Sequence, residues 1–328
     1  MTRIILGTIL TFGFLLPPVF AANPDISEWF VPWEDSRPRD PYVAPDGSIW
    51  FVGQRSDYVA NLDPQSGNFR QISLEDGAGP HNLIVDDSGT IWYAGNRAAH
   101  IGKMDPETGN IHKIPMPDPR ARDPHTLTFD ERQENIWFTV QGGNFIGRLD
   151  MTTEAVDLIE VPTARARPYG IEVHDGIVWV VLFGTNKIAR VDPATMTLDE
   201  IELPRRDARP RRIAITPDGT VWYGDYAKGR LGKMDPDTRT FQEWDMPSGE
   251  RARPYAMAAD DKGRVWFVET GVDPNLFWGF DSKTNEFFST QAIESGGGTV
   301  RHMVFDEERN QIWFGADTNT IGVSVLPE

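Results

Sequence analysis

Seven side chains able to bind ligands or transfer protons recur at one position of a repeated pattern, and in six cases the residue before is Pro. Three of the six histidines of the chain occupy this position. A neutral His accepts protons near neutral pH, whereas Tyr and Arg hydrogen-bond substrates and anions. The pattern favours a binding or catalytic surface over the alternative, in which the side chains stack on one another and plug a channel. The seven residues are Tyr42, His81, His125, Tyr169, Arg211, Tyr255 and His302.

Carboxylates cluster in the last three repeats. Asp225, Glu269 and Asp317 each follow a repeated Trp by three or four residues. Carboxylate oxygens suit a hard cation, so Glu269 and Asp317 are candidate Mg²⁺ ligands. Ion pairs with neighbouring arginines explain the same spacing equally well. A transition-metal site made of the three ring histidines is a further alternative, which requires a narrow channel.

These residues are positioned by a repeat of about 43 residues. Each repeat contains an apolar-Trp-apolar segment, and most are preceded by an Asp-Gly turn, which is typical of a β-hairpin. Four short strands in a repeat of about 40–45 residues describe a propeller blade. We therefore predict an all-β, seven-bladed β-propeller with four antiparallel strands per blade, occupying residues 22–328 as a single domain. The repeated Trp residues, expected to pack between blades, are Trp50, Trp92, Trp137, Trp179, Trp222, Trp266 and Trp313.

The two ends of the chain are predicted to meet in the last blade. The last repeat ends after its third strand, and residues 26–32 resemble the fourth strand at residues 241–247. The N-terminal strand is therefore expected to close blade seven and so remove a free sheet edge. The alternative is a loose N-terminal arm.

The first 21 residues read as an export signal. A basic start is followed by an apolar run over residues 4–20 and by small residues before Asn23, which predicts cleavage after Ala21. An uncleaved membrane anchor is the alternative. We expect the protein to be periplasmic or secreted, with no membrane attachment after cleavage. The absence of Cys excludes disulfides and thiolate catalysis, and a net charge of −17 argues against nucleic-acid binding.

The repeated motifs resemble those of the virginiamycin B lyase (streptogramin lyase) family, over all seven repeats. Residues 167–171 read Arg-Pro-Tyr-Gly-Ile, and residues 144–149 read Asn-Phe-Ile-Gly-Arg-Leu. The resemblance implies a Mg²⁺-dependent elimination that opens a cyclic depsipeptide. In it a base removes the proton α to the carbonyl of the ester-bearing residue, and the ester carboxylate leaves. By that resemblance His302 matches the base and Asp317 a metal ligand.

Two positions depart from the family pattern. Val300 stands where a second metal carboxylate belongs, and Tyr255 replaces a functional His. Glu269, on the adjacent blade, would then have to supply the missing ligand. The competing hypothesis is a non-catalytic propeller that binds a small-molecule or peptide-like ligand at the channel mouth, and we expect a monomer. A lactonase-type hydrolase ranks last, because the ring carries Tyr, His and Arg rather than Ca²⁺ ligands.

Overall fold

The computed structural model describes residues 23–328, which form seven four-stranded antiparallel sheets. The predicted seven-bladed propeller with four strands per blade is confirmed. The predicted signal segment and its cleavage site lie outside the described residues. Within residues 23–328, no helix is long and apolar enough to cross a membrane.

The strands follow one another around the axis, from the innermost strand of each blade outwards. Blades one to three contain β2 (Pro38–Val43), β3 (Ile49–Gly53), β4 (Tyr58–Asp63), β5 (Asn68–Ser73), β6 (Pro80–Val85), β7 (Ile91–Gly95), β8 (His100–Met104), β9 (Ile111–Pro115), β10 (Pro124–Phe129), β11 (Asn135–Val140), β12 (Phe145–Asp150) and β13 (Val156–Glu160). Blades four to six contain β14 (Pro168–His174), β15 (Ile177–Leu182), β16 (Lys187–Asp192), β17 (Thr197–Glu202), β18 (Pro210–Ile215), β19 (Val221–Asp225), β20 (Arg230–Met234), β21 (Phe241–Asp245), β22 (Pro254–Ala259), β23 (Arg264–Glu269), β24 (Leu276–Asp281) and β25 (Glu286–Ala292). Blade seven combines β1 (Asp25–Phe30) with β26 (Val300–Asp306), β27 (Gln311–Ala316) and β28 (Thr320–Val325). A 3-10 helix (Gly249–Arg251) precedes blade six.

The repeated sequence motifs have packing reasons. Trp92 of blade two lies in one apolar cluster with Ile136 and Phe138 of blade three, so the Trp fills the space between blades. Gly147 in the Ile-Gly-Arg motif lies directly opposite Phe138 in the neighbouring strand. A Cβ at Gly147 would clash with the Phe138 ring, which covers the glycine backbone. The glycine of the motif is therefore needed to make room for the aromatic ring of the neighbouring strand.

The N-terminal strand closes the ring of blades. β1 pairs with β28 antiparallel, with Trp29 opposite Ile321. The Trp29 ring stacks on Trp313 with centroids 5.6 Å apart, and the Val31 N–H donates to the Asn319 carbonyl at 2.9 Å. The predicted closure of blade seven is confirmed, and the alternative of a loose arm is wrong.

Because the Trp29 ring joins the first strand to the last blade, Trp29→Ala should lower the free energy of unfolding by about 2 kcal/mol. Phe30→Ala is the control, since Phe30 is 73% exposed and should change it by less than about 0.5 kcal/mol. Urea denaturation followed by Trp fluorescence measures both. Equal losses would contradict a closure that depends on this stack.

Candidate functional site

Strand register determines which residues share one level of the channel. In blade two Pro80 lies opposite Gly95, and the pairing then shifts so that Leu83 lies opposite Tyr93. In blade one the residue opposite Gly53 is Pro38, so Arg39 is equivalent to His81. We call the seven equivalent side chains the channel ring. They are Arg39, His81, His125, Tyr169, Arg211, Tyr255 and Arg301.

The alignment predicted from sequence needs correction in two blades. Tyr42 lies three residues deeper than the ring and pairs with Trp50. The cause is a second proline, Pro41, which imitates the motif that Pro38 actually supplies. In blade seven Val300 takes the proline position opposite Ala316, so Arg301 belongs to the ring and His302 lies one residue deeper. The other five predicted members, His81, His125, Tyr169, Arg211 and Tyr255, occupy one level as expected.

The aromatic members of the ring pack against one another. The centroids of His81 and His125 are 3.6 Å apart, and those of His125 and Tyr169 are 4.2 Å apart. The hydroxyls of Tyr169 and Tyr255 share a hydrogen bond. All four side chains are buried. This half of the ring is therefore a packed layer across the channel, as in the stacking alternative.

Arg211 is surrounded by aromatic rings. Its guanidinium carbon lies 3.7 Å from the ring centroid of Tyr255, 4.3 Å from Tyr226, 4.7 Å from Phe183 and 5.2 Å from Tyr169. No carboxylate in residues 23–328 forms an ion pair with it, and its Nε has no hydrogen-bond partner there. Burial opposes the charge, but the neighbouring tyrosines keep the pKa of Arg211 above its ordinary value. The result is a half-buried cation held in place by cation–π contacts.

A buried charge cluster, made of Arg39 of the ring and four residues one position deeper, closes the channel. The Asp40 carboxylate lies 3.0 Å from Arg39 Nε and 3.6 Å from Arg212, and it accepts from the Asn82 amide at 3.1 Å. Arg212 also donates to Thr126 Oγ1 at 3.2 Å. Burial alone would raise the pKa of Asp40, but Arg39, His302 and Arg212 hold it well below its usual range. We call these five residues, Arg39, Asp40, Asn82, Thr126 and Arg212, the axial plug.

His302 lies beside the axial plug and lines a cavity on its far side. Its Nδ1 is buried and has no hydrogen-bond partner among the described residues. Burial and the positive charge of Arg212 lower the pKa of His302 to about 3, although Asp40 acts in the opposite direction. The imidazole is therefore neutral at pH 7. With a pKa so far below 7 it is a poor general base, because general-base catalysis is most efficient when the pKa of the base lies near the working pH.

The candidate metal ligands already have protein partners. Asp317 accepts from Arg301 at 2.6 Å and lies 3.6 Å from Arg37. Glu269 is buried and accepts from the Ser248 N–H at 3.2 Å and its hydroxyl at 2.5 Å. In the part of the chain that the structure describes, no group of three His, Cys, Asp or Glu residues is arranged to hold a metal ion. These donors do not fit a Mg²⁺ site, and the ion-pair interpretation accounts for Asp317.

Arginines form a rim around the end of the channel where the innermost strands begin, which we call the entry face. Arg37, Arg167, Arg209 and Arg253 directly precede the prolines of blades one, four, five and six. Three of them, Arg37, Arg167 and Arg253, have φ values of 48°, 54° and 46°. Arg rarely adopts this left-handed conformation, and it costs about 1 kcal/mol or more per residue. In blades four, five and six the Arg-Pro pair in the sequence predicts this rim. Arg37 was missed because the sequence alignment of blade one used Pro41 in place of Pro38.

Comparison with known proteins agrees with this architecture. The model of the Virginiamycin B lyase family matches residues 20–191 and 172–323. The chain belongs to the virginiamycin B lyase family. A streptogramin B lyase structure is 26% identical, with a TM-score of 0.80 over 93% of this chain and 98% of the other. Virginiamycin B lyase from Staphylococcus aureus is 23% identical, with a TM-score of 0.83 over 93% and 100% of the two chains.

More distant proteins share the fold alone. Kuenenia stuttgartiensis hydrazine synthase is 13% identical, with a TM-score of 0.74 over 89% of this chain and 96% of the other. No curated protein matches the sequence. These comparisons therefore concern the propeller. The chemistry of the channel ring and of the residues below it depends on the side chains of this chain.

The axial plug should be sensitive to loss of its single carboxylate. Asp40→Asn leaves Arg39 and Arg212 buried without a counter-ion and should cost about 3 kcal/mol of unfolding free energy. Asp317→Asn removes a more exposed ion pair and should cost at most about 1 kcal/mol. Urea denaturation at pH 7 compares them. Because the folded-state pKa of Asp40 is lowered, its contribution is present above about pH 4 and is lost as pH falls further.

The buried histidines should make the free energy of unfolding depend on pH between about 5 and 6.5, which is above the range in which Asp40 acts. Burial lowers the pKa of His81 and His125 well below 6.5, and that of His302 to about 3. The unfolded chain therefore takes up protons that the folded protein cannot, and stability should fall as pH drops from about 6.5 to 5. His125→Gln should reduce that slope by about 1.4 kcal/mol per pH unit, equivalent to one proton. Denaturation at pH 5, 6 and 7 measures the slope, and an unchanged slope would contradict the assignment.

Proposed function

We propose that this family member is an exported binding protein whose entry face holds an anionic small-molecule or peptide-like ligand at Arg211, without lyase turnover. The single observation that carries the proposal is the Arg211 guanidinium, which is fixed by four aromatic rings and has no carboxylate partner among residues 23–328. Export rests on the sequence of residues 1–21.

The four aromatic rings around Arg211 favour anion binding because they fix the orientation of its guanidinium before a ligand arrives. A guanidinium in a fixed orientation can donate two parallel hydrogen bonds to a carboxylate or phosphate, and little side-chain entropy is lost when it does so. Phe183 and Tyr226 border the same guanidinium and offer apolar contacts to an aromatic or alkyl group of the ligand. Ligands that combine an anion with an apolar ring therefore fit best.

The arginine rim supports the same ligand class. Arg167, Arg209 and Arg253 form no ion pair with a carboxylate in the described residues, although the whole chain carries a net charge of −17. A local positive field on an acidic protein steers anions to one face.

The lyase alternative receives less support from this geometry. Family membership and the named streptogramin and virginiamycin lyase structures favour it. Against it, Arg301 occupies the ring level that His302 was expected to fill, and Asp317 is neutralised by Arg301 and Arg37. With a pKa of about 3, His302 is a poor base for an elimination at neutral pH.

Binding is tested by calorimetric titration of the chain from Ala22 onward with phenyl phosphate and with benzoate. We expect Arg211→Met to weaken binding at least tenfold, and Arg211→Lys to weaken it less, because the charge remains while the bidentate geometry is lost. The matched control is Arg239→Met, an exposed arginine in the turn between β20 and β21 at the opposite end of the channel. Equal affinities of Arg211→Met and the unsubstituted protein would refute the site.

Turnover is tested separately with quinupristin and Mg²⁺, followed by mass spectrometry and chromatography. Elimination opens the ring without a change in mass, whereas hydrolysis adds one water. We expect the cyclic compound to stay intact. A linear product of unchanged mass that disappears with His302→Ala would establish the lyase reaction and overturn the claim that no turnover occurs.

A further inference from the structure

Beyond the axial plug, the cavity that His302 lines is open to the opposite end of the channel. This end, formed by the turns that join the first two strands of each blade, we call the turn face. The cavity has a volume of about 330 Å³, at the small end of the range for ligand sites. Most of its lining residues are apolar, but the surface that faces the space is more polar than apolar. The lining includes Tyr42, Thr128, Phe129, Glu172, Ala258 and His302.

The cavity contains a carboxyl group without a partner. Within residues 23–328, Glu172 forms neither an ion pair nor a side-chain hydrogen bond. Burial raises the pKa of Glu172 to about 7, and Arg212 opposes this only in part. A largely buried carboxyl without a partner is costly to ionise, and a bound cation would relieve that cost. Thr128 and His302 line the same space, although the Nδ1 atom of His302 is itself buried.

The turn face is acidic, in contrast to the arginine rim. Every one of its seven turns carries at least one exposed carboxylate. Only Arg132, Lys262 and Arg309 add positive charge there, and Arg309 is paired with Asp306. Such a rim concentrates cations at the mouth of the channel. One exposed acid from each turn in blade order is Asp46, Asp87, Glu131, Asp175, Asp218, Asp261 and Glu307.

We propose that the axial cavity binds a small organic ammonium ion with an apolar body, whose charge pairs with Glu172. An ammonium group has three N–H donors, and the Glu172 carboxylate and the Thr128 hydroxyl, which lie at the same level of adjacent blades, can accept from it. The rings of Tyr42 and Phe129, packed edge to face at 6.4 Å, supply apolar and π surface for the body of the ligand. This site is independent of the anion site at Arg211, because the axial plug separates the two.

Charges near the floor of the cavity are compatible with a cation. Arg212 and Arg39 are positive, but Asp40 neutralises part of that charge within the axial plug. His302 is neutral above about pH 4, and Tyr42 is neutral because burial, Glu172 and the acids at 86 and 87 raise its pKa to about 12. Glu172 is therefore the group of the cavity that titrates near pH 7.

This arrangement gives binding a defined pH dependence. With a pKa of about 7, Glu172 is about one-tenth ionised at pH 6 and about nine-tenths ionised at pH 8. A primary alkylammonium ion keeps its charge over this range. Affinity should therefore rise about tenfold from pH 6 to pH 8, and Glu172→Gln should remove the dependence.

The probe is 2-phenylethylammonium chloride, titrated into the protein at pH 8 and followed by calorimetry. We expect Glu172→Gln to weaken binding at least tenfold, and the neutral analogue 2-phenylethanol to bind at least tenfold more weakly than the ammonium ion. Glu202→Gln, at an exposed position of β17 in the same blade, is the matched control and should change affinity less than twofold.

A second variant separates loss of the site from loss of the fold. Ala258→Leu fills the cavity without touching a charge, and should abolish binding while circular dichroism shows the β-propeller intact. The proposal is overturned if the ammonium ion does not bind at millimolar concentration, if 2-phenylethanol binds equally well, or if Glu172→Gln and Ala258→Leu both bind as the unsubstituted protein does.

Discussion

The buried pairing of Asp40 with Arg39 and Arg212 is the interaction on which the rest of the channel depends. Two guanidinium groups at the centre of a β-propeller would be prohibitively costly without a counter-charge, and one carboxylate serves both. Arg212 in turn donates to Thr126 of blade three and to the Arg301 carbonyl of blade seven, so its charge links blades that are not neighbours in the ring. The axial plug thereby holds the inner strands together and divides the channel.

Division of the channel gives the molecule two chemically different ends. At the entry face the arginine rim surrounds Arg211, which is held by aromatic rings instead of acids. At the turn face, exposed acids surround a cavity that contains Glu172. A net charge of −17 describes neither end, because the four rim arginines lie at the entry face and the acids of the seven turns lie at the turn face. Partners of either sign can therefore be attracted by one protein, each to its own face.

Family membership rests on the match of the family model to the repeated blades, and it says less about the reaction. The Trp between blades recurs in every blade, and the glycine beneath an aromatic ring recurs in all but blades one and four, which have Ala60 and Ala189 there. Both serve packing, whether or not the blade contacts a ligand. The residues of the channel ring and the entry face belong to neither of these two motifs, so they can differ between members of the family. In this chain Val300 stands where the resemblance implies a metal carboxylate, Arg301 takes the ring level above His302, and Asp317 is bound to arginine. One propeller can thus keep its scaffold while the chemistry at its mouth changes.

The sequence by itself determined the propeller, its blade count and its closure, because these depend on a spacing repeated seven times and on local hairpin turns. It also identified five of the seven ring residues. Its errors fell in blades one and seven, where Pro41 imitated the motif and Val300 replaced the proline that marks it. Only tertiary structure decided that Tyr42 and His302 lie deeper, that Asp317 is paired with Arg301, and that Glu172 is alone in a cavity. The depth of Tyr42 and His302 depends on strand register within blades one and seven, and the surroundings of Asp317 and Glu172 depend on how side chains are placed in three dimensions. No spacing along the chain records either.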